Sequence, residues 1–180
     1  LRWREISLVF QQAMNALNPT LTVQEQLRDT LAVSETPETC ERRARELLEQ
    51  VQVDERFLTA YPHELSGGMR QRVVIAIALA RKPRLLLMDE PTTALDVIVQ
   101  RDILQRIQAL QRRDRFSVIL ITHDLPLMLR FADRVAIMQD GEIVEQSPAR
   151  TLQTDAKHPY TQRLLRSFPS TLGDREDLRA

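Results

Sequence analysis

The sequence predicts an α/β protein whose parallel sheet closes with an antiparallel hairpin. Residues 85–88 (LLLM) and 117–122 (SVILIT) are continuous apolar runs, which are typical of strands buried on both faces of a parallel sheet. Segments with a helical spacing of apolar residues precede and separate these runs. Asp140–Gly141, between VAIM and EIV, is the turn signal of a hairpin. Together these observations indicate alternating helices and strands from residue 66 onward.

Two helices are predicted before the first of these runs. Thr22, with Glu25 three residues later, predicts a capped start for a helix that continues to about Ala32. Thr36–Pro37 opens a second helix, in which apolar residues recur at helical spacing. Between residues 24 and 64 acids outnumber bases ten to five, so we expect a small, acidic helical subdomain.

The other predicted elements cover most of the chain up to residue 148. A short strand is predicted at residues 6–10, and residues 15–20 form a loop. The remaining predictions are a helix over 66–80, a strand over 84–89, a helix over 95–113, a helix over 125–131 and a strand over 135–138. The residues after 148 are mixed and polar, and they form either a further extension of the protein or a generic tail.

Composition excludes several classes of protein. The 25 basic residues equal the 25 acidic ones, which argues against a nucleic-acid binder that works by bulk charge. The single cysteine, Cys40, excludes an intramolecular disulfide and a multi-cysteine metal site. No apolar run reaches the roughly 18 residues of a membrane span. The chain starts with Leu1 and not with Met, so we expect a piece of a longer protein.

Two adjacent carboxylates, Asp89 and Glu90, follow the LLLM run. The carboxyl end of a parallel strand is where α/β sheets bind ligands. One carboxylate there can hold Mg²⁺, and the other can take a proton from an attacking water. The alternative is an ordinary strand followed by surface acids.

Ser66, Gly67 and Gly68 stand at the start of a predicted helix. Small residues there let backbone N–H groups and the positive helix end approach a phosphate. A plain N-cap followed by glycines is the alternative.

Two further polar residues follow predicted strands. His123, after the SVILIT run, can contact a phosphate oxygen or make only a structural hydrogen bond. Gln11, after the first predicted strand, can meet a metal or a water with its amide.

Along the chain, these motifs follow one another in the order Gln11, LSGGM, LLLMDE and ITHD. Their order and residues resemble those of the ATP-binding subunits of ABC transporters. Residues 65–69 (LSGGM) resemble the signature motif, residues 85–89 the Walker B strand, and Glu90 the catalytic carboxylate. Residues 94–96 (ALD) resemble the D-loop, His123 the switch histidine, and Gln11 the Q-loop glutamine. The resemblance runs from about residue 6 to residue 146.

The resemblance narrows to the importers of oligopeptides, dipeptides and nickel. It rests on residues 10–27 (FQQAMNALNPTLTVQEQL), on the EPTTALDV phrase, and on the HPY of residues 158–160, which resembles the C-terminal extension of those ATPases. The domain division it implies has a strand leading into the Q-loop over 1–11, a helical subdomain over 12–64, an ATPase core over 65–147 and a C-terminal extension over 148–180.

The phosphate-binding P-loop of the family is missing from the sequence. That loop needs GxxxxGK followed by Ser or Thr, and the two lysines, Lys82 and Lys157, follow Arg81 and Ala156 where the motif needs Gly. The resemblance therefore implies part of a P-loop NTPase-type sheet, without the N-terminal β-subdomain and the P-loop. For these 180 residues alone we expect weak ATP binding, negligible hydrolysis and an exposed sheet edge or face.

The resemblance also implies roles for the candidate residues, with ATP and Mg²⁺ as substrate and cofactor. Glu90 and His123 are catalytic, Asp89 and Gln11 meet the metal, and the nucleotide contacts come from Ser66, Gly67, Gly68, Gln11 and Asp96. The signature residues act on the nucleotide held by a partner ATPase domain.

The implied function is to energise the import of peptides or a similar solute at the cytoplasmic face of the cell membrane, as a peripheral subunit. The partners are a second ABC ATPase domain, two membrane permease subunits and, indirectly, a solute-binding protein, but no nucleic acid. Two alternatives stay open: a truncated remnant that does not hydrolyse ATP, and an ABC ATPase that is not part of a transporter.

Overall fold

The computed structural model describes residues 5–10, 16–33, 35–92 and 95–167. The contacts within the chain group its residues into two units, Leu1–Ile121 and Thr122–Ala180. The four domain ranges expected from the sequence stay a prediction. Within the described ranges, every helix is too short or too polar to cross a membrane.

The first unit contains a parallel sheet of three strands. Strand β1 (Ile6–Val9) and strand β3 (Ser117–Ile121) flank the central strand β2 (Leu85–Asp89). In the register, Leu85 pairs with Ile6 on one side and with Ser117 on the other. This confirms the parallel α/β sheet predicted from the apolar runs. The carboxyl ends of all three strands therefore lie at the same edge.

The two faces of this sheet differ in burial. Leu86 and Met88 of β2 are fully buried on one face. On β3, Ile119 and Ile121 are 50% and 57% exposed. The prediction that both runs are buried on both faces is therefore wrong for this chain. An apolar run shows that a strand can be covered twice, but a second covering layer must also be present, and the described residues leave one face open.

The helices of the first unit begin close to the predicted positions. The side chain of Thr22 accepts a hydrogen bond from the backbone of Glu25, and the Glu25 carboxylate accepts one from the backbone of Thr22, which confirms the predicted capping box. Two short 3₁₀ segments that the sequence did not predict precede the third helix. The helices are α1 (Val23–Leu31), α2 (Pro37–Gln50), α3 (Gly67–Leu79) and α4 (Val97–Asp114), and the 3₁₀ segments are Glu55–Thr59 and Pro62–Glu64.

The second unit is built around the predicted hairpin, but among the described residues its two strands form a sheet of their own, so the prediction that the hairpin closes the parallel sheet is wrong. Its strands are antiparallel, and the turn residues Asp140 and Gly141 both have positive φ, at 52° and 85°. Such a turn twists in the same sense as the strands that it joins, which explains the Asp-Gly signal. The elements are α5 (Leu125–Phe131), β4 (Arg134–Gln139), β5 (Glu142–Pro148), α6 (Ala149–Asp155) and α7 (Pro159–Ser167).

The HPY segment is held at the start of α7 by one carboxylate of the hairpin. Glu145 of β5 accepts hydrogen bonds from the backbone N–H groups of Lys157 (2.8 Å) and His158 (3.1 Å). His158 in turn accepts, through Nδ1, from the N–H of Tyr160 at 3.2 Å. Part of the polar stretch after residue 148 is therefore an ordered helix with a capped start. Partial burial opposes the charge on Glu145, but these hydrogen bonds outweigh it and lower the pKa of the carboxyl.

We expect acid and the change Glu145→Gln to loosen α7 in the same way. Because the folded-state pKa lies below the usual value, the stabilisation is complete above about pH 4.5 and is lost as the pH falls through the lower folded value. Amide exchange at Lys157 and His158 should become roughly fivefold faster in Glu145→Gln at neutral pH. The control is Glu142→Gln, an exposed glutamate on the same strand. Equal protection in both variants would show that the carboxylate does not hold α7.

Candidate functional site

The two predicted carboxylates lie at the carboxyl end of the central strand. Asp89 is the last residue of β2, and Glu90 follows it with a positive φ of 46°. The N–H of Glu90 donates to the carbonyl of Ile121 on β3 at 2.9 Å, which fixes the backbone at this turn. Both side chains are half-buried. A left-handed backbone at a non-glycine residue stores strain and is concentrated at functional sites, so it adds a structural indication to the sequence signal.

The predicted phosphate-binding segment forms the start of α3. Ser66 is the N-cap, and its hydroxyl accepts from the N–H of Met69 at 3.3 Å. Gly67 and Gly68 are the first residues of this 13-residue helix. Ser66 is exposed, and the two glycines are half-buried. The positive end of the helix is thus open at the position expected for contact with a phosphate.

Gly68 allows α3 to approach α4 closely. A Cβ atom at Gly68 would lie 2.9 Å from Cγ1 of Val99, a distance at which something must shift. Val99 is in the first turn of α4, three residues after Asp96. The structure therefore places Ser66, Gly68 and Asp96 at two neighbouring helix starts.

Asp96 has a structural role that the sequence analysis did not assign. It is the N-cap of α4, and its carboxylate accepts from the N–H of Val99 at 3.0 Å. Gln100, which the sequence analysis missed, donates from Nε2 to the carbonyls of Thr92 (2.8 Å) and Leu95 (3.1 Å). These bonds hold parts of the loop between Glu90 and α4. No local pattern identifies Gln100, because a glutamine in a helix is usually solvated.

His123 belongs to the second unit, on the turn that precedes α5. The hydroxyl of Thr122 accepts from the N–H of Asp124 at 3.2 Å, and the Asp124 carboxylate caps α5 by accepting from the N–H of Leu127. The His123 side chain is exposed, and its carbonyl accepts from the N–H of Leu125. Its predicted approach to Asp89 and Glu90 stays a prediction. Gln11 lies outside the described residues.

The donor set around Asp89 and Glu90 fits a hard cation held together with a ligand. Mg²⁺ in nucleotide sites takes one or two carboxylates, and phosphate and water oxygens complete its coordination. In the part of the chain that the structure describes, no group of three or more His, Cys, Asp or Glu could form an all-protein metal site. A carboxylate at this strand end therefore suits a metal ion whose other ligands are the phosphate oxygens of a bound nucleotide.

The three strands form a parallel sheet in the order β1-β2-β3, and two carboxylates stand at the end of its central strand. The capped starts of α3 and α4 lie close to each other. These features are those of part of a P-loop NTPase-type fold. The chain belongs to the ABC transporter family, whose sequence profile matches residues 2–93. This family assignment confirms the resemblance seen in the motifs.

Several peptide-transport ATPases are similar to most of this chain. The oligopeptide transport ATP-binding protein OppD of Bacillus subtilis is 48% identical over 174 residues, which cover 94% of this chain and 49% of the relative. The dipeptide transport ATP-binding protein DppD of Haemophilus influenzae is 46% identical over 92% of this chain and 51% of its own length. The chain therefore spans about half the length of these curated relatives.

A solved structure supports the fold. The dimeric ATP-binding cassette MJ0796, in a post-hydrolysis state bound to ADP and Pi, superposes with a TM-score of 0.72 and 37% identity. The superposition covers 83% of this chain and 65% of that one.

Proposed function

We propose that the full-length protein is the ATP-hydrolysing subunit of an importer of oligopeptides or dipeptides, bound peripherally at the cytoplasmic face of the cell membrane. The observation that carries this proposal is the pair Asp89 and Glu90 at the end of the central strand, with Glu90 held in a left-handed backbone. The similarity to OppD and DppD over more than nine-tenths of this chain supports the solute class.

Asp89 is the residue that would hold Mg²⁺. When bound, the ion neutralises charge on the phosphates of ATP. Glu90 follows directly and takes a proton from the attacking water, which makes the water a stronger nucleophile as the bond to the γ-phosphate forms. The hydrogen bond from the Glu90 N–H to Ile121 supports this role, because it keeps the residue from moving with the loop that follows.

The start of α3 would act on a nucleotide held by a partner ATPase domain. The Ser66 hydroxyl and the N–H groups of the first helical turn are donors that suit the γ-phosphate. Asp96 keeps the start of α4 in place beside them through its cap. His123 would contact the γ-phosphate, and Gln11 would meet the metal and the water.

The proposed partners follow from the contact between the start of α3 and a nucleotide that another ATPase domain holds. A second ABC ATPase domain supplies the nucleotide that Ser66, Gly67 and Gly68 contact. Two integral membrane permease subunits receive the motion, and a solute-binding protein delivers the solute to them. The dimeric state of the similar cassette MJ0796 supports the first of these partners.

The proposal is tested with the full-length ATPase and its membrane subunits in lipid vesicles. We expect ATP-dependent accumulation of a labelled mixture of di- to pentapeptides, with no accumulation when a non-hydrolysable analogue replaces ATP. Hydrolysis of ATP without peptide accumulation would contradict the proposed solute class, and accumulation of radiolabelled nickel instead would reassign it. Absence of ATP hydrolysis would contradict the proposed activity itself.

A further inference from the structure

The carboxyl end of α2 lacks cations of its own. The last carbonyls of a helix have no partner within it and carry the negative end of the helix dipole, so a nearby cation stabilises them. The last turn of α2 contains no basic residue. The chain continues through Gln52, whose positive φ of 57° turns the backbone away from the helix.

Arg106 of α4 supplies one of the missing cations. Its guanidinium donates from Nε to the carbonyl of Gln50 and from Nη2 to the carbonyl of Glu49 at 3.3 Å. The side chain thus binds two consecutive carbonyls with two arms of one planar group. Only arginine offers this geometry, because the lysine ammonium is a point charge without a fixed fork.

Arg72 of α3 supplies the second cation and joins three helices. It donates from Nη1 to the carbonyl of Val51 at 2.9 Å and to Oε1 of Gln52 at 3.2 Å. Its Nη2 is paired with the carboxylate of Asp102 on α4. The Arg72 side chain is only 15% exposed, whereas the Asp102 side chain is 49% exposed. Arg72 and Arg106, the arginine clamp, therefore fasten the end of α2 to both α3 and α4.

The two helices that carry the clamp are also the helices that begin at the candidate site. Ser66 caps α3 six residues before Arg72, and Asp96 caps α4 ten residues before Arg106. The close approach of Gly68 to Val99 holds the two starts together. The end of α2 is therefore bonded directly to the two helices that begin at Ser66 and Asp96.

We propose that the arginine clamp positions the candidate site by coupling the acidic helical subdomain to the starts of α3 and α4. This inference rests on the proposed function, in which two membrane permease subunits receive the motion of the ATPase. Arg72 and Arg106 are positioning residues, since they contact helix ends and a carboxylate on a neighbouring helix. The clamp couples motion of that subdomain to the residues that close on the nucleotide, and through them to the motion that the permease subunits receive.

The test compares ATP hydrolysis by the full-length ATPase alone and in complex with its membrane subunits in lipid nanodiscs. In Arg106→Lys we expect the ratio of the complexed rate to the basal rate to fall at least fivefold, with the basal rate within twofold of the wild type. Arg112→Lys, the same change at an exposed position of α4, should leave the ratio unchanged. A purely structural role would lower both rates in proportion and would overturn the proposal, as would an unchanged ratio in Arg106→Lys.

A distance measurement separates failure of the clamp from failure of the proposed function. Spin labels at Glu38→Cys on α2 and Ala109→Cys on α4, in a full-length background whose native cysteines, Cys40 included, are replaced by Ala, report the position of one helix relative to the other. Both labelled positions are exposed. We expect a single narrow distance distribution that becomes at least twice as wide when Arg106 is changed to Lys. Equal widths would overturn the clamp even in an active ATPase, whereas a wild type without hydrolysis would overturn only the proposed function.

Discussion

The change Glu90→Gln in the full-length protein is expected to lower ATP turnover by about two to four orders of magnitude. The amide is nearly the same size as the carboxylate but cannot take a proton from the attacking water. Because Glu90 adopts a left-handed backbone at a turn fixed by the hydrogen bond to Ile121, the substitution should leave the local structure unchanged. Binding of ATP should persist, so ATP-bound dimers should accumulate.

Turnover is measured by phosphate release and dimer formation by light scattering with ATP present. Glu142→Gln, at an exposed position on β5, is the matched control and should keep the wild-type rate. Turnover within tenfold of the wild type in Glu90→Gln would remove Glu90 from the role of general base. Loss of turnover without ATP-bound dimers would indicate that the glutamate binds nucleotide.

The change Gly68→Ala is expected to lower turnover at least tenfold, because displacement of catalytic groups by a fraction of an ångström is costly. The added Cβ would lie 2.9 Å from Cγ1 of Val99, a β-branched side chain with little freedom to turn away. We expect the starts of α3 and α4 to separate as a result, which would move Ser66 away from Asp96.

Removal of the obstructing methyl groups should reverse this effect. In the double variant Gly68→Ala, Val99→Ala, we expect turnover to return to within about threefold of Val99→Ala alone. The effects of substitutions at two residues in contact are not additive. A double variant as slow as Gly68→Ala would show that the glycine is needed for another reason, such as contact of its backbone with phosphate.

The helix starts could be predicted from the sequence because their signals are local. Thr22 and Glu25 form both bonds of the capping box within four residues. The Ser66 hydroxyl, which caps α3, accepts a hydrogen bond from the N–H of Met69, three residues later. The Asp-Gly turn likewise depends on two adjacent backbone conformations. The resemblance of the motifs to the family, which the sequence profile confirms, depends on the order of residues and not on packing.

The burial of the strands could not be predicted in the same way. The apolar runs of β2 and β3 identified strands, but Ile119 and Ile121 are at least half exposed. A sequence records which side chains favour burial, whereas burial also requires an element on that face. The residues after 148 were polar on average, whereas the structure has a helix there, and Glu145, twelve residues before Lys157, accepts hydrogen bonds from the N–H groups of Lys157 and His158 just before it.

By itself, the sequence predicted the family, the class of fold, the starts of the helices up to α5 and a set of candidate catalytic residues. Only the tertiary structure decided that Gly68 meets Val99 and that Arg106 binds the carbonyl of Gln50, 56 residues away. The physical reason is the range of the interactions. Caps and turns close within a few residues and leave a spacing in the chain, whereas contacts between distant segments arise when helices and strands pack, and they leave no such spacing.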